Sequence, residues 1–241
     1  MRAAPAERAI PAAGETDRCL RIAGLSLVAD AAGAFYWPEE RLLAVADLHL
    51  EKGSSFARRG SLVPPYDTAD TLSRLSALVR RYAPQAVVAL GDSFHDQQGS
   101  ERLSLADRMT LGQLMRGRDW VWITGNHDPE PMHALGGLFT AAFARGPLLF
   151  RHEPTHNGRD GEIAGHLHPV AQVDMGGRYL RRRCFASDGR RMVMPAFGAY
   201  AGGLNVRHRA FAGLFAGDDF VAHVLGHAAV HAFAGAHCLP D

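Results

Sequence analysis

The chain has 241 residues, 47% of them apolar and 21% charged, a composition that excludes disordered, collagen-like and coiled-coil classes and allows one large domain or two small ones. Its 26 basic residues nearly balance 25 acidic ones at a net charge of +1, so no whole-molecule field points to nucleic acid or membrane. Two biases remain: 13 histidines, and one lysine, Lys52, in a basic complement otherwise made of arginine.

Residues 1–17 read as a flexible leader. They lack the continuous apolar segment of a signal peptide, and no later stretch reaches the roughly 18 apolar residues of a membrane span. Cys19, Cys184 and Cys238 are scattered and odd in number, which suits a reducing, cytoplasmic setting better than a disulfide framework. Residues 18–241 are expected to form a single domain. Strand-like runs around Leu20–Val28 and Ala34–Trp37 come first. Leu42–Ala46 is uninterruptedly apolar, as in a strand buried on both faces, and it runs into Asp47. Thr68–Tyr82 has helical spacing, with Leu72, Leu75, Leu78 and Val79 on one face and Pro84 at its end. Ala86–Leu90 is a second buried strand, ending at Gly91-Asp92. An amphipathic helix is predicted over 101–118, with Leu103, Met109, Leu111 and Leu114 among its apolar positions. Trp120–Thr124 is a third strand, ending at Gly125-Asn126-His127-Asp128. Leu148–His152 and Glu162–His166 are short strands ending in histidines. Tyr179–Ala186 with Arg191–Pro195, and Phe220–Leu225 with Ala229–Phe233, read as antiparallel pairs turning at Asp188-Gly189 and Gly226. Phe211, Leu214 and Phe215 read as core-facing residues of a short helix.

Open α/β sheets place ligands at the carboxyl ends of their strands. Here those ends carry Asp47-Leu48-His49, Gly91-Asp92, Gly125-Asn126-His127-Asp128, His152-Glu153 and Gly165-His166-Leu167-His168. Each cluster by itself is an ordinary polar turn. Five in succession, each after an apolar run, point to a shared site. Carboxylate, imidazole and amide donors without cysteine suit manganese, iron, zinc and similar divalent ions. Residues two apart in a strand share a face, which would aim Asp47 with His49, and His166 with His168, into one pocket.

This series resembles the calcineurin-like metallophosphoesterase superfamily over about residues 43–168. The flanks Tyr36-Trp37-Pro38, Ala46–Leu50, Gly165–Pro169 and Pro195–Ala199 resemble its bacterial PdeM-type subfamily of ligase-associated DNA damage response endonucleases. The resemblance implies a four-layer α/β/β/α sandwich of two mixed sheets flanked by helices. It implies two divalent metals, manganese first, with iron, zinc, cobalt or nickel able to use the same donors. One metal would take Asp47, His49 and His168, the other Asn126, His152 and His166, with Asp92 bridging. His127 would lie near the scissile phosphate or leaving group, oriented by Asp128. The implied substrate is a phosphoester, DNA in this subfamily, with a functional link to a DNA ligase and helicase.

Outside these clusters, His95 and Asp96 are placed at the pocket rim. Arg58 and Arg59 could meet phosphates. Arg181-Arg182-Arg183 reads as a solvated edge strand or, alternatively, a nucleic-acid backbone contact. His223, His227, His231 and His237 with Cys238 read as a solvated or partly packed set, since a hairpin does not converge them. Two other functions stay open: a nucleotide pyrophosphatase of the same fold, similar to the UDP-diacylglucosamine hydrolases, and a non-catalytic scaffold.

Overall fold

A computed structural model of the protein describes residues 18–156 and 158–241, so the predicted leader lies outside the described residues. The first sheet opens with β1 (Arg18–Ile22) and β2 (Leu25–Ala29). The run predicted around Leu20–Val28 is therefore a hairpin. Ala23 and Gly24 take φ values of 48° and 81° and reverse the chain between the two strands. Next come β3 (Phe35–Trp37), β4 (Leu42–Ala46), the helices α1 (Lys52–Arg58) and α2 (Asp67–Tyr82), and β5 (Ala86–Leu90). They are followed by α3 (Gly99–Arg102), α4 (Leu105–Met115), β6 (Asp119–Ile123) and β7 (Leu138–Thr140). The helix predicted over 101–118 splits into α3 and α4. Leu103 is extended, and the Ser104 hydroxyl caps α4 by accepting from the Asp107 amide at 3.1 Å, which turns Met109 outward.

Strands β1 to β4 pair antiparallel and β4 to β7 parallel, in sequential order. The predicted apolar strands β4 and β5 are buried at every residue, because they lie in the middle of this sheet with a layer on each face.

The second sheet holds β8 (Ala142–Arg145), β9 (Leu148–Arg151), β10 (Glu162–Ala164), β11 (Pro169–Asp174), β12 (Tyr179–Ser187), β13 (Met192–Val193) and β14 (Leu204–Asn205). Its order is β14-β11-β12-β13-β10-β9-β8, and β15 (Val221–Leu225) with β16 (Val230–Ala234) joins through β12. Both predicted hairpins form, β12 with β13 and β15 with β16.

Three apolar cores separate four layers. Leu72, Leu75, Val79, Leu111 and Leu114 of the helices pack on Leu43, Val45, Val87 and Ala89 of the first sheet. Between the sheets, Phe35, Ala44 and Val88 meet Phe150, Ile163, Phe185 and Met194. On the far face of the second sheet, Ala171, Cys184 and Ala222 are covered by Phe211, Leu214, Phe215 and Cys238. The expected four-layer α/β sandwich is present, with one difference. Its fourth layer is built from 3-10 turns, Arg209–Phe211 and Gly235–His237, and irregular chain rather than α-helix. The two sheets join where Phe197 donates to the Ala46 carbonyl at 2.8 Å and Gly198 to that of Asp47 at 3.1 Å, directly at the carboxyl end of β4.

Candidate metal centre

The carboxyl ends of β4, β5, β6, β9 and β10 face one another across this junction. Asp47 and His49 follow β4, Asp92 follows β5, Asn126 follows β6, His152 follows β9, and His166 and His168 follow β10. The pleat argument for the paired ligands is overturned. All four paired residues lie past their strands with left-handed backbones, φ 51° at Asp47, 43° at His49, 67° at His166 and 46° at His168. Asp92 shares this conformation at 43°. Left-handed φ at a non-glycine residue costs about 1 kcal/mol or more, and such strain gathers at functional sites.

Surrounding backbone holds the strained turns in place. His49 and Leu50 donate to the carbonyls of Asp92 and Ser93, each at 2.9 Å, and His95 donates back to Leu50 at 2.9 Å. This ladder brings the loop after β5 against the loop after β4. Glycine is required where the ligands crowd: a Cβ at Gly91 would enter the His152 ring. Gly91 also has a φ of 66°, which glycine adopts without strain.

Two groups of ligand atoms result. In the first, Asp47, His49 and His168 bring their donor atoms within 4.8 Å of one another. The Nε2 atoms of His49 and His168 are 3.3 Å apart, and Asp47 Oδ1 is 3.4 Å from His168 Nε2. In the second, Asp92, His152 and His166 meet the same limit. Here His152 Nε2 lies 3.1 Å from His166 Nδ1 and 2.9 Å from Asn126 Oδ1. Asp92 stands between the groups. Its Oδ1 accepts the His127 amide at 2.9 Å, while its Oδ2 lies 3.9 Å from His49 Nε2 and 3.5 Å from His152 Nε2.

These donors fit a pair of divalent cations. Imidazole nitrogens lie within 3.5 Å of one another and of carboxylate oxygens. His168 Nδ1 is 3.2 Å from the Gly202 carbonyl and His152 Nδ1 is 3.4 Å from that of Leu90. A carbonyl anchoring Nδ1 fixes the tautomer that leaves Nε2 as the donor. Burial, then the neighbouring His168, His127, His95 and Lys52, pushes His49 down to about 2. Burial and then His152 lower His166 as well. Both imidazoles are therefore neutral near pH 7, the form that binds a metal. His168 moves the other way: burial pulls it down, but the hydrogen bond and charge of Asp47 outweigh it.

The expected contact between Asp128 and His127 is absent. The buried Asp128 carboxylate instead accepts the Gly125 amide at 3.0 Å and the Phe94 amide at 3.1 Å, pinning the loop that carries Asn126 and His127. The partner of His127 is the His95 carbonyl, 2.8 Å from Nδ1. Its Nε2 points back toward Asp92 Oδ2 at 3.9 Å. Burial raises Asp128 to about 7, the backbone amide of Phe94 opposing and the nearby Asp92 adding to it.

His95 belongs to the pocket rather than to a solvated rim. It is buried, its ring stacks on His127 at 5.0 Å between centroids, and it forms a third close group with His49 and His127. Burial, then His127, Lys52 and Arg59, lowers it to about 4. In sequence His95 is a lone histidine after a turn, and only the ladder between the two loops shows its place. Asp96 is taken up by the Arg102 guanidinium, with contacts of 2.7 and 2.9 Å.

The arginine run divides. Arg181 bonds Asp241 at 2.9 Å, Arg182 is exposed, and Arg183 is half-buried, donating to the Ala196 carbonyl at 2.8 Å. His223 is buried in β15, and the tail histidines form no metal-sized group with Cys238 among the described residues. No helix among the described residues is long and apolar enough to cross a membrane.

Residues 40–194 match the family model described as calcineurin-like phosphoesterase, a span containing every residue of the two ligand groups. The crystal structure of the Pseudomonas putida nuclease MPE is similar to this chain with a TM-score of 0.71 and 27% identity, over 90% of this chain and 100% of that one. Yfce, a phosphoesterase from E. coli, is similar with a TM-score of 0.41 and 14% identity, over 80% of this chain and 98% of that one. Among curated proteins none matches the chain.

Proposed function

Because the chain belongs to the calcineurin-like phosphoesterase family, we propose that it is a two-metal phosphodiesterase that cuts DNA internally, a cytoplasmic endonuclease of the ligase-associated DNA damage response kind, working with a DNA ligase and helicase. The observation that carries the reading is the position of Asp92 Oδ2, which faces both ligand groups at once. The similarity to a nuclease over nine-tenths of the chain supports a nucleic acid over small phosphoesters.

When bound, two divalent ions, manganese first, would neutralise the phosphate oxygens and acidify the attacking water. Asp47, His49 and His168 would hold one ion, and Asn126, His152 and His166 the other. Asp92 supplies the negative charge that lets two cations sit close together. Asn126 adds an oxygen donor without further charge. His127 is the acid for the leaving alkoxide. A carbonyl can only accept, so His95 keeps a proton on His127 Nδ1, and Nε2 is the atom that gives and regains one. Asp128 is a positioning residue that fixes the loop beneath this imidazole.

The test is a substrate panel on the manganese-loaded chain: single-stranded and plasmid DNA, RNA, cyclic nucleotides and nucleotide pyrophosphates. Internal DNA cleavage is expected. Brisk turnover of a pyrophosphate with intact DNA would replace the endonuclease by a small-molecule hydrolase. No turnover of any phosphoester would leave a scaffold.

A further inference from the structure

A groove of about 410 Å³ opens beside the metal centre, lined by Ser55, Arg58, Arg59, Asp96, Gln97 and Gln98. Ser55 of this lining directly precedes Phe56, which extends the aromatic stack of the site. The His95 ring, stacked on His127, is 5.4 Å from the Phe56 ring, and the Lys52 ammonium lies 5.7 Å above Phe56. Lys52 donates once, to the Tyr200 carbonyl at 3.0 Å. An ammonium carries three donors, so hydrogens remain for a ligand. Arg58 is held by Gln98 at 2.9 Å. Arg59 is exposed, and its guanidinium has no hydrogen bond or ion pair among the described residues. The one carboxylate in the lining, Asp96, is neutralised by both arms of Arg102.

We propose that Arg59, in the groove lining, and Lys52, over the neighbouring Phe56 ring, form a phosphate subsite that takes the phosphate next to the scissile one in a polynucleotide. This rests on the nuclease reading for its substrate. Positive charge alone makes a weak surface site. Here it stands beside the aromatic rings of Phe56 and His95, and positive charge next to aromatic side chains is the pairing by which proteins follow a nucleic-acid backbone. The residues also answer how a chain with net charge +1 grips a polyanion: the grip is local.

Lys52 is the only lysine, which gives the proposal a chemical readout. The aldehyde of pyridoxal phosphate condenses with a lysine amine, releasing water, and borohydride delivers hydride to the imine carbon to leave a stable secondary amine. On the manganese-loaded chain, peptide mass spectrometry should find Lys52 labelled about tenfold faster by pyridoxal phosphate than by pyridoxal, the gain of one charge-assisted contact. Oligothymidylate and inorganic phosphate should both slow the labelling, and Arg59→Met should erase the preference for the phosphorylated aldehyde. Equal rates for the two aldehydes, or labelling indifferent to oligothymidylate and phosphate, overturn the subsite.

Kinetics supply the second arm. Arg59→Met should raise KM for an oligonucleotide about tenfold against a far smaller change for a bis-aryl phosphate, and flatten the salt dependence by about one contact. Arg182→Met, the same change in net charge elsewhere, should leave that ratio unchanged. A ratio insensitive to Arg59, or moved equally by Arg182, overturns the subsite. Phosphate-selective labelling in a chain that leaves DNA intact would retain the subsite and reject the nuclease.

Discussion

The Nε2 atoms of His49 and His168, 119 residues apart in sequence, lie 3.3 Å from each other. Two imidazole nitrogens at that distance hold at most one proton between them, and His49 is strongly disposed to be neutral. Since Asp92 faces both ligand groups, its charge should matter more than that of any single imidazole. Asp92→Asn is expected to lose most of both metals and nearly all activity. Elemental analysis checks this, and full occupancy of two ions would contradict the bridge.

His127 lies on the other side of the same oxygen but is needed for neither group. His127→Ala should lower turnover by about 10²- to 10⁴-fold, the range for a lost general acid, with metal content nearly unchanged. The loss should be smaller for a diester with a good leaving group, such as an aryl phosphate, because such a group departs without a proton. Equal losses on both substrates would move His127 out of the acid role.

Gly91 is where backbone and ligand come closest. In Gly91→Ala the new Cβ enters the His152 ring, and the residue keeps a left-handed φ of 66°. A destabilisation of about 3 kcal/mol or more is expected, with selective loss of the ion that needs His152. Chemical denaturation and metal analysis report the two effects separately.

Removing the metals should soften the whole strand-end cluster. A ligand at 100 times its dissociation constant adds about 2.7 kcal/mol to the folded state, so chelation should lower the melting temperature by several degrees, and manganese should restore it. A melting temperature indifferent to chelator would argue that the ligands are held by the fold alone.

Away from the site, His223 sets part of the acid stability. It is buried in β15, its Nδ1 has no partner among the described residues, and burial, followed by the nearby Arg18, lowers it to about 4. The unfolded chain therefore binds this proton near pH 6.5 and the folded chain only near pH 4. Stability from His223 is complete above about pH 6.5 and is lost as pH falls toward 4, up to about 3 kcal/mol. His223→Phe should flatten that limb in urea titrations between pH 4 and 7. Metal release at low pH is common to both chains and cancels in their difference.

Strands β4, β5 and β6 could be read from sequence nearly to the residue, because a strand covered on both faces must be apolar throughout. Their polar ends drew attention for the same reason. The first hairpin was harder, since Ala23-Gly24 interrupts the run without a polar break. Ser104 divides the predicted 101–118 helix by a cap whose effect depends on the extended Leu103 before it. The strand pleat suggested correctly that Asp47 and His49 aim together, but backbone twist beyond the strand is what aims them. The roles of His95 and Asp128 depend on backbone carbonyls and amides brought together by the fold, which side-chain identity does not encode.

The left-handed turns at Asp47, His49, Asp92, His166 and His168 bear on any attempt to move this centre elsewhere. Grafting the same side chains onto the flat rim of another sheet would reproduce the composition and scatter the aim. A transplant would have to carry the ladder between the loops after β4 and β5, the crossing at Phe197-Gly198, and the glycines that leave room for the rings. In this protein the portable unit of chemistry is a piece of bent main chain, and the histidines are its fittings.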